Sequence, residues 1–187
     1  MSSKRVSITE VVDYSKFLVP MTGIPERVET AISRGVQIDT DYPFANAATL
    51  LDTADDGLTD AVVRNSDGVL VVACRTDMHG VAPEMWDWWF GWHSVSSQRY
   101  RLWHPRERVS ASVTEDRSNL KDFKSRYIGT TSFVEERIGD DHMHEIAISF
   151  RAPSEFGIDE GKLNPQGTAI CARGRARPQR APTSFTS

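Results

Sequence analysis

The spacing of apolar and polar positions changes several times along the chain. From Tyr14 to Thr49, Pro20, Pro25, Pro43, Gly23 and Gly35 interrupt every run. One helical stretch remains, Pro25 to Ser33, with Val28 and Ile32 on a shared face and Pro25 in the first turn, where a missing N–H is tolerated. Asn65-Ser-Asp-Gly68 is a turn signal, and the continuous apolar run Val69 to Cys74 after it predicts a buried strand. Pro83 then opens a helical period. Met85, Trp88, Trp89 and Trp92 recur at i, i+3, i+4 and i+7, with Asp87 and Gly91 opposite, which predicts an amphipathic helix of about three turns. Its stripe is strongly aromatic, and each ring buries on the order of 150 to 250 Å². Such a helix either anchors a core or lines a pocket for a flat aromatic ligand.

From Tyr100 the pattern turns to strands: Tyr100 to Trp103, Val109 to Thr114, Thr130 to Arg137 and His144 to Phe150. The last alternates cleanly, with His144, Ile146, Ile148 and Phe150 on one face and Glu145, Ala147 and Ser149 on the other. Gly139-Asp-Asp141 before it predicts an antiparallel hairpin. In the preceding strand Thr131, Phe133 and Glu135 share a face, and Val134 and Glu136 share the other. The aromatic neighbour Phe133 makes the face of Glu135 the expected inward one.

Composition narrows the class. The chain has 187 residues, 22 basic and 26 acidic side chains and a net charge of -4, which argues against a general nucleic-acid-binding role. No apolar run approaches the roughly 20 residues that span a bilayer, and Met1-Ser-Ser-Lys-Arg5 is not followed by a signal-peptide core, so the expectation is a soluble, cytoplasmic protein with no membrane or nucleic-acid partner. Two cysteines, Cys74 and Cys171, provide neither a disulfide framework nor a C-x-x-C motif. All five tryptophans fall within 18 residues, from Trp86 to Trp103. After Glu160 the chain contains no acid but five bases, Lys162, Arg173, Arg175, Arg177 and Arg180. The terminal stretch lacks apolar periodicity, so residues 174–187 are expected to form a disordered basic tail.

Histidines stand at 79, 93, 104, 142 and 144, with no H-E-x-x-H, G-x-S-x-G, Walker A or G-x-G-x-x-G motif. Pro105 restricts His104 to an extended backbone, beside Trp103. On spacing alone His104 is equally a structural histidine or a metal ligand. His142 and His144 lie on one face at a turn edge, the pattern of a solvent-exposed pair.

The block Pro83-Glu-Met-Trp-Asp-Trp-Trp-Phe-Gly-Trp-His93, followed by Tyr100-Arg-Leu-Trp-His-Pro105, Phe133-Val-Glu-Glu-Arg-Ile-Gly139 and Ile148-Ser-Phe-Arg-Ala-Pro153, resembles the 2,4-diacetylphloroglucinol hydrolase and phloretin hydrolase family over roughly residues 65 to 173. The resemblance implies an α+β helix-grip (START-like) domain, a curved antiparallel sheet wrapped around a helix. It further implies a Zn2+-dependent hydrolase that cleaves the carbon-carbon bond between an acyl group and a polyhydroxylated ring, its partner being a small acylated phenol. Family zinc is held by an early His and Glu and a later His-x-x-x-Glu. His104 and Glu135, 31 residues apart, match the first pair. The second pair has no match, since no His follows His144 and no Glu follows Glu160. The resemblance therefore leads one to expect a sheet incomplete at its C-terminal end, by truncation or a frame change near residue 174, unless His142 or His144 substitutes. Trp88, Trp89, Trp92 and Tyr100 are the expected ring-binding residues, and no general base is assigned.

The expected organisation is an N-terminal cover segment (1–64), a helix-grip domain (65–173) and the tail. Two readings stand: a zinc-dependent hydrolase, and a catalytically silent aromatic-ligand-binding module lacking the second ligand pair. In the latter, an unpaired sheet edge predicts self-association as a homo-oligomer.

Overall fold

The computed structural model describes residues 5–38, 60–74, 76–139, 142–163 and 167–176. The chain divides into two compact units, one formed by Met1–Val19, Ala82–Ala152 and Thr168–Ser187, the other by Pro20–Val81 and Pro153–Gly167.

The second unit holds helix α1 (Glu26–Arg34) and strands β1 (Gln37–Ile38), β2 (Ala61–Arg64) and β3 (Leu70–Ala73). Helix α1 starts directly after Pro25, carries Glu26 and Glu29 in its first turn, where they oppose the helix dipole favourably, and ends at Gly35 with φ +66°. Its buried residue is Ala31, while Ile32 is exposed, so the inward face lies beside the Val28 and Ile32 stripe expected from periodicity. Strand β2 pairs in parallel with β1 and antiparallel with β3. The Asn65 side chain closes the β2–β3 turn by accepting from the N–H groups of Asp67 and Val69 at 3.1 and 2.9 Å. The run from Val69 is not the buried strand its composition predicts. Val69, Leu70 and Val72 are all exposed, and only Val71 and Ala73 are half-buried, because β3 is an edge strand of a three-stranded sheet.

The first unit carries α2 (Pro83–His93), α3 (Ser97–Tyr100), β4 (Arg108–Val113), α4 (Phe123–Tyr127), β5 (Thr131–Arg137), β6 (Met143–Arg151) and β7 (Cys171–Ala176). Strands β4 to β7 form an antiparallel sheet in sequence order, and β5 with β6 is the expected hairpin. Tyr100 to Trp103 is not a strand: Tyr100 N–H donates to the Ser96 carbonyl in helix α3, and the chain then turns. Strand β7 takes in Gly174, Arg175 and Ala176, so three residues of the expected tail are sheet, paired with β6; residues 177–187 lie outside those described. Gly174 and the flanking Ala172 and Ala176 pair with Ile148, Phe150 and Ile146, leaving room over the inner face for the large side chains of β6.

Cross-strand partners share a face. The apolar β6 face of Ile146, Ile148 and Phe150 therefore brings Val134 and Ser132 of β5, and Ala111 and Val113 of β4, to the same side. The core gathers there: Tyr100, Ala111 and Val134 are buried, with Ile146 and Ile148 against them.

Helix α2 is buried on a different face from the one its tryptophans suggest. Asp87, Gly91 and His93 are its buried residues, while Met85 is 52% and Trp88 37% exposed. The reason is proximity to α4. A Cβ on Gly91 would lie 2.9 Å from the Cβ of Arg126 and 3.2 Å from the Phe123 carbonyl oxygen, so only glycine permits this approach. One turn earlier, Asp87 accepts the hydroxyl hydrogen of fully buried Tyr127 at 2.6 Å and a bond from Thr168 Oγ1 at 3.1 Å. A buried carboxylate is stable only when satisfied in this way.

The N-terminal arm completes this unit. Val6 pairs with Val113, Ile8 N–H donates to the Val95 carbonyl, and Arg99 forms a bidentate pair with Glu10. Arg99 also lies 4.7 Å from the centre of the Trp92 ring, and Tyr14 meets that ring edge-on at 5.7 Å. The Arg99 guanidinium holds the Glu10 carboxyl below the usual carboxylate range. Among the described residues no helix is long and apolar enough to cross a membrane.

Candidate active site

A cavity of roughly 260 Å³ opens between α2 and the inner face of the β4–β7 sheet. Phe90, Trp103, Val134, Ile148, Phe150 and Ile170 give it apolar walls, and His93, Tyr100, Arg108, Ser132 and Glu136 supply its polar groups. Its volume suits a single ring with small substituents, since drug-sized ligands occupy about 300 to 1,000 Å³.

The polar groups converge through a backbone irregularity. Along β4 and β5, Ser110 pairs with Glu135, whereas Arg108 pairs with Glu136, so the register slips by one residue at Val109. Without this bulge Arg108 would share the outer face with Ser110; with it, the side chain turns inward. There Arg108 forms an ion pair with Glu136, which also accepts the hydroxyl hydrogen of Tyr100. Burial, and next the Glu136 partner, raise the Tyr100 hydroxyl above the usual tyrosine range, so it remains a donor. Ser132 Oγ and Arg108 Nε are buried without a hydrogen-bond partner.

His93 lies at the end of α2, stacked on Tyr100 with 5.7 Å between ring centres and 12° between planes. Its Nδ1 lies 2.6 Å from the Trp89 carbonyl oxygen. Burial is the largest influence and drives its pKa down to about 4; the hydrogen bond to Trp89 works the other way, and Arg108 repels a second positive charge. At neutral pH the ring is uncharged.

The expected site residues separate in space. Tyr100 lines the cavity, while Trp88, Trp89 and Trp92 are absent from its walls. Trp88 and Trp92 stack on each other at 5.1 Å, and Trp92 is held by Tyr14 and Arg99. Glu135 is exposed and accepts from Ser110 Oγ at 2.7 Å, whereas Glu136 is 5% exposed and faces the cavity. The inward face of β5 is thus that of Val134 and Glu136, because the hairpin partner β6 places its isoleucines on that side. The signal lies in the partner strand, where Ile146 and Ile148 pair with Val134 and Ser132.

His104 is half-buried, with Nδ1 unbonded and 3.8 Å from Glu107 Oε2. Zinc takes about three or four His, Cys, Asp or Glu donors. Among the described residues no three of these side chains converge, so the residues described do not fit a complete zinc shell. His142 is exposed and His144 half-buried, and neither joins such a group.

Residues 43–186 match the family model described as the DAPG hydrolase PhiG domain. The chain is 32% identical to a phloretin hydrolase of Eubacterium ramulus over 59% of its own length and 42% of that protein. It is 33% identical to 2,4-diacetylphloroglucinol hydrolases of a Pseudomonas sp and of Pseudomonas protegens, over 53% of its length and 36% and 34% of theirs. The chain thus spans about two fifths or less of the length of these curated relatives. With the family model covering most of the sequence, the chain belongs to the DAPG hydrolase family.

Proposed function

We propose that the cavity between α2 and the β4–β7 sheet takes a small acylated, polyhydroxylated phenol, and that the chain takes part in hydrolysing its acyl-to-ring carbon-carbon bond. The observation that carries this is the cavity's division into aromatic and aliphatic walls around one polar cluster of His93, Tyr100, Arg108 and Glu136. In such a reaction water supplies hydroxyl to the acyl carbon and a proton to the ring carbon, and the ring leaves with its electron pair spread onto its oxygens. Arg108 is a permanent cation beside that ring and would stabilise the developing negative charge. Glu136 fixes the Arg108 guanidinium and the Tyr100 hydroxyl in place. The surrounding rings exclude water and orient the substrate's plane. The sheet with α2 across its inner face agrees with a helix-grip arrangement.

Zinc belongs to this proposal only through the family. Glu135 lies on the outer face of β5, away from the cavity, and no three donor side chains converge among the described residues, so no step is assigned to the metal. One observation favours a second reading, ligand binding without turnover: Glu136, the cavity's carboxylate, is already taken up by Arg108 and Tyr100. The deciding experiment mixes the full chain with 2,4-diacetylphloroglucinol, with and without added Zn2+, and measures acetate release and binding by tryptophan fluorescence. Acetate release supports hydrolysis. Binding without release supports the second reading, and neither would sink both.

A further inference from the structure

Within the polar cluster the two ring nitrogens of His93 are not equivalent. The Trp89 carbonyl can only accept, so the His93 Nδ1 at 2.6 Å carries the ring hydrogen, and the neutral imidazole has its lone pair at Nε2. The tautomer is therefore fixed by the backbone of α2. No group among the described residues donates to Nε2. The ring is held rigidly, 5% exposed, against Trp89, Trp103 and Tyr100 at 5.1, 5.9 and 5.7 Å between centres. Around it, Arg108 has only donors, and the Tyr100 hydrogen goes to Glu136. Ser132 donates or accepts with equal ease and so does not discriminate. His93 lines the cavity, its Nδ1 is taken up by Trp89, and Nε2 is the acceptor the ring has left for a ligand.

We propose that His93 is the specificity-determining acceptor of this cavity: Nε2 receives the hydrogen of a ring hydroxyl, so the site selects hydroxylated rings over rings of the same shape that lack an O–H. The inference rests on the proposed reading for the ligand being a ring, and adds which substituent is recognised and by which atom. Burial that keeps the imidazole uncharged preserves the acceptor at neutral pH. A site built to pair a substrate hydroxyl rejects the analogue lacking it far more strongly than a purely apolar pocket rejects a missing methylene.

The test titrates the full chain, followed by tryptophan fluorescence, with phloroglucinol and with 1,3,5-trifluorobenzene, a close match in shape without O–H. Wild type should prefer phloroglucinol at least tenfold. His93→Phe keeps the ring stack and removes the acceptor, and should cut the preference below threefold while trifluorobenzene affinity stays the same. His93→Gln, whose amide oxygen can accept, should restore part of the preference. A merely structural role would weaken both ligands together. Equal affinities in wild type, no binding of phloroglucinol, or a preference that survives His93→Phe overturns the assignment. Preference for phloroglucinol without binding of the acylated phenol overturns the acyl-phenol reading and leaves the role of His93 standing.

Discussion

Tyr100 on α3 and Glu136 on β5, 36 residues apart in sequence, meet inside the cavity, where the phenolic O–H donates to the carboxylate. Arg108 closes the triad from the bulge in β4. One carboxylate thus ties a helix to two strands at the polar end of the site, and its neighbour Glu135, on the outer face, does none of this.

The consequence is an asymmetry between adjacent glutamates. Glu136→Gln keeps the shape and weakens two charge-assisted contacts of a buried group, and should cost about 1 to 3 kcal/mol. At this chain length each kcal/mol lowers the melting temperature by roughly 2 to 4 °C. Glu135→Gln changes an exposed residue and should stay within about 0.5 kcal/mol of wild type. Thermal unfolding of the two variants side by side measures the difference. A larger loss for Glu135→Gln would return that residue to the inner face.

Gly91 offers a test of the α2–α4 approach. Alanine in mid-helix ordinarily gains about 1 kcal/mol over glycine. Here the new methyl would press on the Arg126 Cβ at 2.9 Å and the Phe123 carbonyl oxygen at 3.2 Å, neither of them the far end of a flexible side chain. Overpacking costs typically about 1 to 3 kcal/mol, so Gly91→Ala should be net destabilising by denaturant titration. Stabilisation would mean that the helices lie further apart than described.

These positions also show what the sequence could disclose. The three later strands and the β5–β6 hairpin were legible because β-branched runs alternate and Gly139 marks the turn. The inner face of β5 was legible too, once Ile146, Ile148 and Phe150 are paired across to Val134 and Ser132. Phe133 misleads because one aromatic residue weighs less than the partner strand's whole apolar row. In α2 the tryptophan stripe misleads for a related reason. A helix that is apolar nearly all round carries no unique face, and the informative residue is the costly one, Gly91, which marks where another backbone comes close. Arg108 was not legible, because the bulge that turns it inward depends on pairing between strands and leaves no local pattern.

The depressed pKa of His93 predicts a specific dependence of stability on pH. The folded-state value is about 4, against an ordinary value of 6.5, and the larger cause is burial of the charged form. Above pH 6.5 both folded and unfolded chains hold the ring neutral, and the contribution is constant. As pH falls from 6.5 toward 4, the unfolded chain takes up a proton that the folded chain refuses, so stability drops, by up to about 3 kcal/mol if the whole shift is realised. Below about pH 4 both states are protonated and this loss levels off. His93→Phe removes the group, so the difference in unfolding free energy between wild type and variant should shrink or change sign across this window. Urea titrations of both proteins at pH 7.5, 6.0 and 5.0 supply the comparison, with carboxylate effects common to both cancelling in the difference. A difference that stays flat from pH 7.5 to 5.0 would mean that His93 takes up its proton in the folded chain as readily as in the unfolded one, and that the cavity wall around it admits water.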